Sequence, residues 1–378
     1  MISPFTMRIN AASILCLCLI NITAVGQDLS VWKGLVSKSG IDTTGMSTDE
    51  ATVSRVAALV AYGVRPFHVG HWQIPQHVDS VRLDTLSKLA VKQSDGWADR
   101  WTSLEPGFLP YKYLRAYLDS LPVDEANMDD SLNALRSALN EYRWLNRIPF
   151  DTLIIVNIPS STLRVITKSG RQLLYSAVIL GQHHTPTPLF GAYLTRIITF
   201  PYWNVPRSIA TKELLPKIKR NPATTLDNLK MQVLDSRGKV ADPSTIDWKS
   251  LSAKNFPYRL RQSTGCDNAL GVMKFDLNSP YDVYLHDTNH REFFAGTNHF
   301  LSHGCIRLAK PVELANLILQ KEFFTPSFLD TQKTNVPSKV ISIPAAIPIV
   351  ITYELVDLDA DNLIRFYPDV YGWRKVKM

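Results

Sequence analysis

The chain changes its pattern of apolar residues near Pro149, and this change limits the folds that it can adopt. Upstream, apolar residues recur at the spacing of helices that bury one face. Downstream, short runs rich in β-branched residues are separated by Gly, Pro and Ser, which is typical of strands joined by turns. The helical segments are 48–62, 80–93, 111–118 and 131–145, and the strand-like segments are 153–158, 162–167, 173–180 and 192–200. The sequence therefore predicts an α+β fold, with a mostly helical domain over 28–149 and a β-rich domain over 150–378.

Three local features refine this division. Ser47 or Thr48 is a candidate N-cap for the first of these helices, because a short hydroxyl side chain can accept a hydrogen bond from the first turn. Residues 212–259 are charged and punctuated by proline, which fits either a lid over a site or an ordinary surface excursion. Pro311 begins a run over 311–319 that predicts a helix with proline in its first turn.

Length and charge limit the class of protein. A chain of 378 residues with 45% hydrophobic residues can bury a substantial core and form two domains. The formal net charge is +7, and the basic residues are dispersed without a zinc-finger or RNA-binding motif. We therefore expect a solvated basic surface and no nucleic-acid partner.

The N-terminus predicts export. Met7-Arg8 precedes an apolar run from Ala11 to Val25, and small residues end that run. This pattern predicts a signal peptide over 1–26, with cleavage near Gly26-Gln27. The run is short for a membrane span, so we expect no stable span after cleavage, with an uncleaved anchor as the alternative. The mature chain would keep two cysteines, too few for a disulfide framework.

The segment 286–308 has the composition of a nucleophile site. It contains Cys305 next to Gly304, together with four histidines at positions 286, 290, 299 and 303. A neighbouring imidazole can take the thiol proton, and glycine lets the backbone approach a reacting carbonyl. Most lone cysteines are inert core residues, and residue type alone does not choose the base. The histidine spacings also leave open a zinc hydrolase, although neither pair has the Glu of His-Glu-x-x-His.

Several motifs resemble those of the L,D-transpeptidases (YkuD family), and in particular their YcbB-like branch. The resemblance covers about 150–372 and is far weaker upstream. The motifs are Val156-Asn157-Ile158-Pro159, Thr187-Pro188-Leu189-Phe190, Trp203-Asn204-Val205-Pro206, Asn268-Ala269-Leu270-Gly271, Lys274-Phe275, Tyr284-Leu285-His286-Asp287-Thr288, Ser302-His303-Gly304-Cys305 and Asp369 to Gly372. The resemblance implies a β-rich catalytic domain with a capping insertion over 212–259, behind a helical scaffold domain.

The resemblance also implies a role for each site residue. Cys305 is the nucleophile, His286 is the base, and the backbone carbonyl of Asp287 orients the imidazole, unless the Asp287 carboxylate does so. His303 and Gly304 shape the oxyanion loop. The candidate substrate-binding residues are Arg307, Trp203, Asn268 and Tyr284. No cofactor and no metal are required.

The activity implied is peptidoglycan cross-linking in the periplasm. The cysteine would form an acyl-enzyme on a tetrapeptide stem and transfer the acyl group to a second stem, giving a 3→3 cross-link. The partners implied are stem peptides and, as inhibitors, carbapenems. An L,D-carboxypeptidase that uses water as the acceptor is the nearest alternative, and a catalytically silent wall-binding protein is the most distant.

Cys266 stands where the resemblance places a proline. We expect it to lie near the nucleophile, either as an inert packing thiol or as a partner for Cys305 in an inhibitory disulfide.

Overall fold

The computed structural model describes residues 30–47, 49–66, 69–92, 95–121, 129–330 and 336–374. The predicted signal peptide lies outside these residues. Within them, no helix combines the length and the apolar character that crossing a membrane requires.

Helices dominate the chain up to residue 145. They are α1 Ser30–Lys38, α2 Glu50–Tyr62, α3 Ser80–Val91, α4 Trp97–Thr102, α5 Leu109–Ser120 and α6 Asp129–Leu145, with the two-residue strand β1 His71–Trp72. The N-cap of α2 is Asp49, whose carboxylate accepts from the Thr52 N–H at 2.8 Å, so Ser47 is not the cap. The apolar faces meet in a core in which the Trp32 and Trp101 rings pack edge to face at 5.9 Å.

Strands dominate the rest of the chain. They are β2 Thr152–Asn157, β3 Thr162–Thr167, β4 Gln172–Gly181, β5 Phe190–Thr199, β6 Trp203–Asn204, β7 Met231–Leu234, β8 Arg259–Gln262, β9 Met273–Leu277, β10 Leu285–His286, β11 Phe300–Ser302, β12 Ile306–Leu308, β13 Lys339–Thr352, β14 Val356–Leu358 and β15 Ile364–Phe366. The later helices are α7 Arg207–Ile209, α8 Leu215–Arg220, α9 Pro222–Asn228 and α10 Pro311–Leu319. The predicted α+β class is confirmed, and so is the helix that begins at Pro311.

The described residues form two compact units. The first contains the residues up to Tyr175, Pro188–Tyr193 and the residues from Ile347 onward, and the second contains Ser176–Thr187 and Leu194–Ala346. Compactness does not define a sequence domain, so the predicted domain boundary at 149/150 and the predicted lid over 212–259 stay predictions.

The first unit contains a buried pair of carboxyl groups on α6 and after β13. Glu141 is 3% exposed and Glu354 is 5% exposed, and each has one oxygen without a hydrogen-bond partner among the described residues. Arg374 pairs with the other oxygen of Glu354 at 2.6 Å. Burial raises the pKa of Glu354 to about 7, and burial together with the charge of Glu354 raises the pKa of Glu141 well above its ordinary value. Glu141 therefore keeps its proton to a higher pH than an exposed carboxyl group does.

The second unit brings β10 and β12 side by side, although a long loop separates them in sequence. β10 pairs in parallel with β12, with His286 opposite Arg307, and antiparallel with β9. β12 continues the sheet onto β4, where Arg307 lies opposite Ile179. This register places the end of β10 beside the turn that precedes β12.

Residues 203–262 form a subdomain with its own core inside the second unit. Its strands form a separate sheet in the order β6-β8-β7. Its apolar residues, including Trp248 and Leu260, form a cluster of their own. We call this segment the 203–262 subdomain.

Candidate active site

Cys305 lies in the turn between β11 and β12, immediately after Gly304. Gly304 has a φ of +110°, a conformation that residues with a Cβ rarely adopt. The Ser302 hydroxyl accepts from the Gly304 N–H at 3.1 Å and donates to the Cys305 carbonyl at 2.6 Å. From the loop after β4, the Thr187 hydroxyl donates to the Gly304 carbonyl at 3.0 Å. The turn is therefore held on both sides of the cysteine.

The hydrogen bonds of this turn leave one amide available. The Gly304 N–H is already used by Ser302, whereas the Cys305 N–H has no hydrogen-bond partner within the described part of the chain. An unused amide next to a nucleophile can stabilise an oxyanion. Of the Gly304 and Cys305 amides, the structure leaves that of Cys305 available for an oxyanion.

The thiol of Cys305 is partly exposed and faces polar groups other than His286. It donates to the Asp282 carbonyl at 3.6 Å. Burial raises the pKa of the thiol, against the opposing effects of the Tyr284 hydroxyl and the positive charge of Lys274. The resting thiol is therefore protonated at neutral pH.

His286 is buried and has a defined tautomer. Its side chain is 4% exposed, and Nδ1 lies 2.5 Å from the Asp287 carbonyl oxygen. Burial lowers the pKa of His286 to about 3, and the positive charges of Arg307 and Lys274 act in the same direction. The ring is neutral at neutral pH, and because a carbonyl oxygen only accepts, Nδ1 carries the proton. This leaves Nε2 unprotonated and able to accept one.

The Asp287 carboxylate is occupied elsewhere. It accepts from the Val272 N–H at 2.9 Å and from the Arg291 guanidinium at 2.7 and 3.1 Å. Gly271 leaves room for it, because a Cβ at that position would lie 2.3 Å from Oδ2. Of the two Asp287 groups that the sequence left open, the backbone carbonyl is the one in contact with the imidazole.

Tyr284 contacts both the imidazole of His286 and the thiol of Cys305. Its ring packs edge to face on His286 at 5.7 Å, its hydroxyl hydrogen-bonds to the Cys305 sulfur, and the Trp203 indole hydrogen-bonds to the same hydroxyl. The ammonium of Lys274 lies 4.1 Å from the centre of the Tyr284 ring. Burial raises the pKa of Tyr284, so its hydroxyl remains a proton donor.

Two other predicted substrate-binding residues differ in whether their polar atoms already have hydrogen-bond partners. Arg307 is partly buried on β12, and its Nε has no hydrogen-bond partner among the residues described. Asn268 is 1% exposed, and its amide is fully used by the carbonyls of Pro201 and Ser263 and by the Leu270 N–H. Arg307 has a free donor, whereas Asn268 shapes the loop before β9.

The remaining histidines have separate surroundings. His303 Nε2 lies 2.9 Å from the Glu213 carboxylate, which belongs to a π-helical turn over Ala210–Leu214 in the 203–262 subdomain. His290 contacts Glu292 at 2.9 Å on the surface, and the ring of His299 packs against Phe294. In the described ranges, no three His, Cys, Asp or Glu side chains form a group that could hold a metal ion.

Sequence reasoning missed four contributors to this site: Ser302, Thr187, Lys274 and Glu213. The first three stand in or beside the motifs Ser302 to Cys305, Thr187-Pro188-Leu189-Phe190 and Lys274-Phe275, so the motifs themselves were a signal. Glu213 had no such signal, because its contact with His303 depends on how the subdomain folds back onto the turn. Cys266 and Cys305 are both free thiols.

Comparison with known proteins identifies the family. The family model of the L,D-transpeptidase catalytic domain (YkuD) matches residues 151–340. A Haemophilus influenzae protein described as "Putative L,D-transpeptidase" is 35% identical over 260 residues, which cover 68% of this chain and 52% of that protein. This chain thus spans about half the length of that relative.

The solved structures that match are less similar to this chain in sequence than the Haemophilus influenzae protein is. An L,D-transpeptidase from Mycobacterium smegmatis is 15% identical, with a TM-score of 0.22 over 53% of this chain and 58% of that one. The LD transpeptidase LdtMt1 in complex with imipenem is 14% identical, with a TM-score of 0.22 over 53% and 59%. Scores this low carry no argument about function. The family model, however, matches half of the chain, and the chain therefore belongs to the YkuD family of L,D-transpeptidase catalytic domains.

Proposed function

We propose that this chain is an exported L,D-transpeptidase that forms 3→3 cross-links in peptidoglycan through a thioester on Cys305. The observation that carries the proposal is the arrangement of Cys305 and His286 around Tyr284, with the imidazole neutral and Nδ1 bonded to a backbone carbonyl. A neutral imidazole with a free nitrogen can accept a thiol proton. The family membership supports acyl transfer as the reaction class.

The first half-reaction forms the acyl-enzyme. As a tetrapeptide stem binds, the thiol proton passes to His286 Nε2 and the sulfur attacks the carbonyl carbon of the third residue. The carbonyl electron pair moves to oxygen, where the Cys305 N–H stabilises it. When the carbonyl re-forms, the bond to the terminal D-alanine breaks, and its nitrogen takes the proton from His286. The thioester remains on Cys305.

The second half-reaction transfers the acyl group. The side-chain amine of a diamino acid on another stem attacks the thioester, and its proton returns through His286 to the sulfur as the thiolate leaves. Water in place of the amine would make the protein an L,D-carboxypeptidase. The two activities share every residue of the first half-reaction, so the acceptor alone separates them.

Other residues hold the substrate and the turn. Arg307, partly buried on β12 opposite His286, is the candidate for binding a stem carboxylate through its guanidinium. Tyr284 borders the thiol, and Trp203 borders the Tyr284 hydroxyl. His303 and Gly304 shape the oxyanion turn, and Asn268 fixes the neighbouring loop. The proposed chemistry uses no cofactor and no metal, and carbapenems would acylate Cys305 as they resemble the donor.

Location is part of the proposal. We assign residues 1–26 as a cleaved signal peptide and the mature protein to the periplasm, where its substrate lies. N-terminal sequencing of the exported protein should begin near Gln27.

The decisive experiment is product analysis. The exported protein is incubated with purified disaccharide tetrapeptides, and the products are identified by mass spectrometry. A dimer that has lost one D-alanine supports cross-linking, whereas tripeptide monomers alone indicate a carboxypeptidase. No change in the substrate, or an activity abolished by a zinc chelator, would contradict the cysteine mechanism.

A further inference from the structure

The charge of this chain is concentrated in the 203–262 subdomain. That segment contains 12 of the 41 Lys and Arg residues and 5 of the 34 Asp and Glu residues, a formal excess of seven positive charges. The whole chain also has a net charge of +7, so the basic and acidic residues outside the subdomain balance. The earlier expectation of evenly dispersed basic residues is therefore wrong for this segment.

The few acidic side chains of the subdomain are already used. The carboxylates of Asp235, Asp242 and Asp247 accept backbone N–H groups in local turns, at 2.8 to 3.2 Å. Asp227 pairs with Lys230 at 3.7 Å, and Glu213 pairs with His303 at 2.9 Å. The five carboxylates are already counted in the excess of seven charges, and in the described residues only those of Asp227 and Glu213 form ion pairs.

Most of the basic side chains are exposed and unpaired. Eight of them make no ion pair and no side-chain hydrogen bond within the part of the chain that the structure describes: Lys212, Lys217, Arg220, Arg237, Lys239, Lys249, Lys254 and Arg259. A set of cations without internal partners creates a positive potential that attracts anions.

The basic subdomain also adjoins the nucleophile. Glu213 contacts His303 in the turn that carries Cys305, and Trp203 hydrogen-bonds to Tyr284 beside the thiol. A polymer that delivers one peptide to Cys305 must therefore bring its neighbouring peptides close to this subdomain.

We propose that the 203–262 subdomain is a docking surface for the carboxylate groups of peptidoglycan stem peptides next to the stem that reacts. This inference rests on the function proposed above. Each exposed ion pair contributes little binding free energy. A polymer with many carboxylates contacts several lysines at once, and this multivalency raises its overall affinity.

The composition of the surface favours carboxylate peptides over nucleic acid. Five of the eight unpaired cations are lysines, which pair with carboxylates as flexible point charges. Single-stranded nucleic acid also needs exposed aromatic rings for base stacking. Among the described residues of the subdomain no aromatic side chain is exposed, and the Arg261 guanidinium covers the ring of Tyr202, which immediately precedes the subdomain, at 4.6 Å from its centre.

The test is a pelleting assay with purified sacculi, the full-length chain and rising NaCl. One variant replaces four unpaired lysines, Lys217, Lys239, Lys249 and Lys254, with glutamine. A matched control replaces four exposed lysines elsewhere, Lys38, Lys92, Lys112 and Lys339, with the same change in net charge. We expect the subdomain variant to bind sacculi about fivefold or more weakly at low salt and the control to bind within twofold of the parent, with the difference vanishing at high salt.

Two further measurements test whether carboxylate groups, rather than phosphate groups, are what the subdomain binds. Sacculi whose carboxylates have been converted to amides should lose the salt-sensitive binding, and polyphosphate should compete less well than soluble stem peptides. Unchanged binding to amidated sacculi, equal losses in the two variants, or stronger competition by polyphosphate would overturn the docking proposal. Acylation of Cys305 by a carbapenem, measured on the same samples, reports on the proposed chemistry independently and should be the same in all three proteins.

Discussion

Cys305 and His286 are both uncharged at rest. Burial raises the pKa of the thiol and lowers that of the imidazole to about 3, so an ion pair between them is unfavourable before substrate binds. The thiolate would then form as the sulfur attacks, with His286 taking the proton in the same event.

Replacing Cys305 with alanine should abolish covalent labelling. The sulfur alone forms the thioester, and a small apolar residue fits a partly exposed turn. Intact-protein mass spectrometry after incubation with a carbapenem should show the added mass on the parent and none on Cys305→Ala. An adduct on the variant would show that another residue is the nucleophile.

Replacing His286 with alanine should slow acylation at least about a hundredfold, the usual contribution of a general base. His290→Ala and His299→Ala are the matched controls, because these rings pair with a surface carboxylate and with Phe294. Stopped-flow or quenched acylation rates of the three variants provide the measurement. Equal losses in all three would mean that the base is misassigned.

At the residue scale, the sequence could predict those site residues that stand in a local motif. It could not predict the contacts that depend on residues elsewhere in the chain. Cys305, His286 and Gly304 stand in contiguous motifs, so their proximity follows from the pairing of two short strands. The choice between the carbonyl and the carboxylate of Asp287 depended on Arg291 and Gly271, which lie on separate loops. The contact of Glu213 with His303 depended on tertiary folding.

At the scale of elements, the nucleophile turn is fixed by three partners from different segments. Ser302 is in the turn itself, Thr187 comes from the loop after β4, and Glu213 comes from a π-helical turn. Single π turns are frequent at functional sites, because they displace side chains that a regular helix would aim elsewhere.

Glu213→Ala should slow acylation by a small soluble β-lactam about fivefold, which corresponds to roughly 1 kcal/mol, the usual net contribution of one hydrogen bond. Glu213→Gln should recover most of the rate, because an amide oxygen still accepts from His303. Asp227→Ala, which removes another exposed carboxylate of the same subdomain, is the control. Full activity in Glu213→Ala would show that the turn does not depend on this contact.

The positions of long elements could be predicted from the sequence, whereas those of short strands could not. Apolar periodicity located α2, α3, α5 and α6, because these helices bury one face. Short elements such as β10 and β12 have two or three residues, too few for any pattern, and they exist because neighbouring strands pair with them. The sequence therefore predicted the fold class better than the strand order.

At the scale of the whole molecule, stability should respond to pH through Glu141. Its folded pKa lies well above the ordinary 4.5, so between pH 4.5 and that value the folded protein keeps a proton that the unfolded chain has lost. Raising the pH through this window therefore lowers the free energy of unfolding.

Glu141→Gln should remove the part of this dependence that Glu141 contributes, since glutamine mimics the protonated carboxyl, and the part contributed by Glu354, whose pKa is raised to about 7, should remain. The variant and the parent should unfold at similar urea concentrations near pH 4.5, and the variant should become the more stable one as the pH rises to 8. Urea titrations at several pH values, followed by circular dichroism, measure the difference. A constant difference across the range would mean that Glu141 titrates normally.

The protonated resting state of Cys305 has a consequence for survival outside the cytoplasm. Peroxides and other oxidants attack thiolates far faster than thiols. A thiol that stays protonated is therefore a poor target for oxidation. In the oxidising compartment to which the proposed export would take it, the sulfur would be converted to sulfenic or sulfinic acid more slowly than a resting thiolate would be.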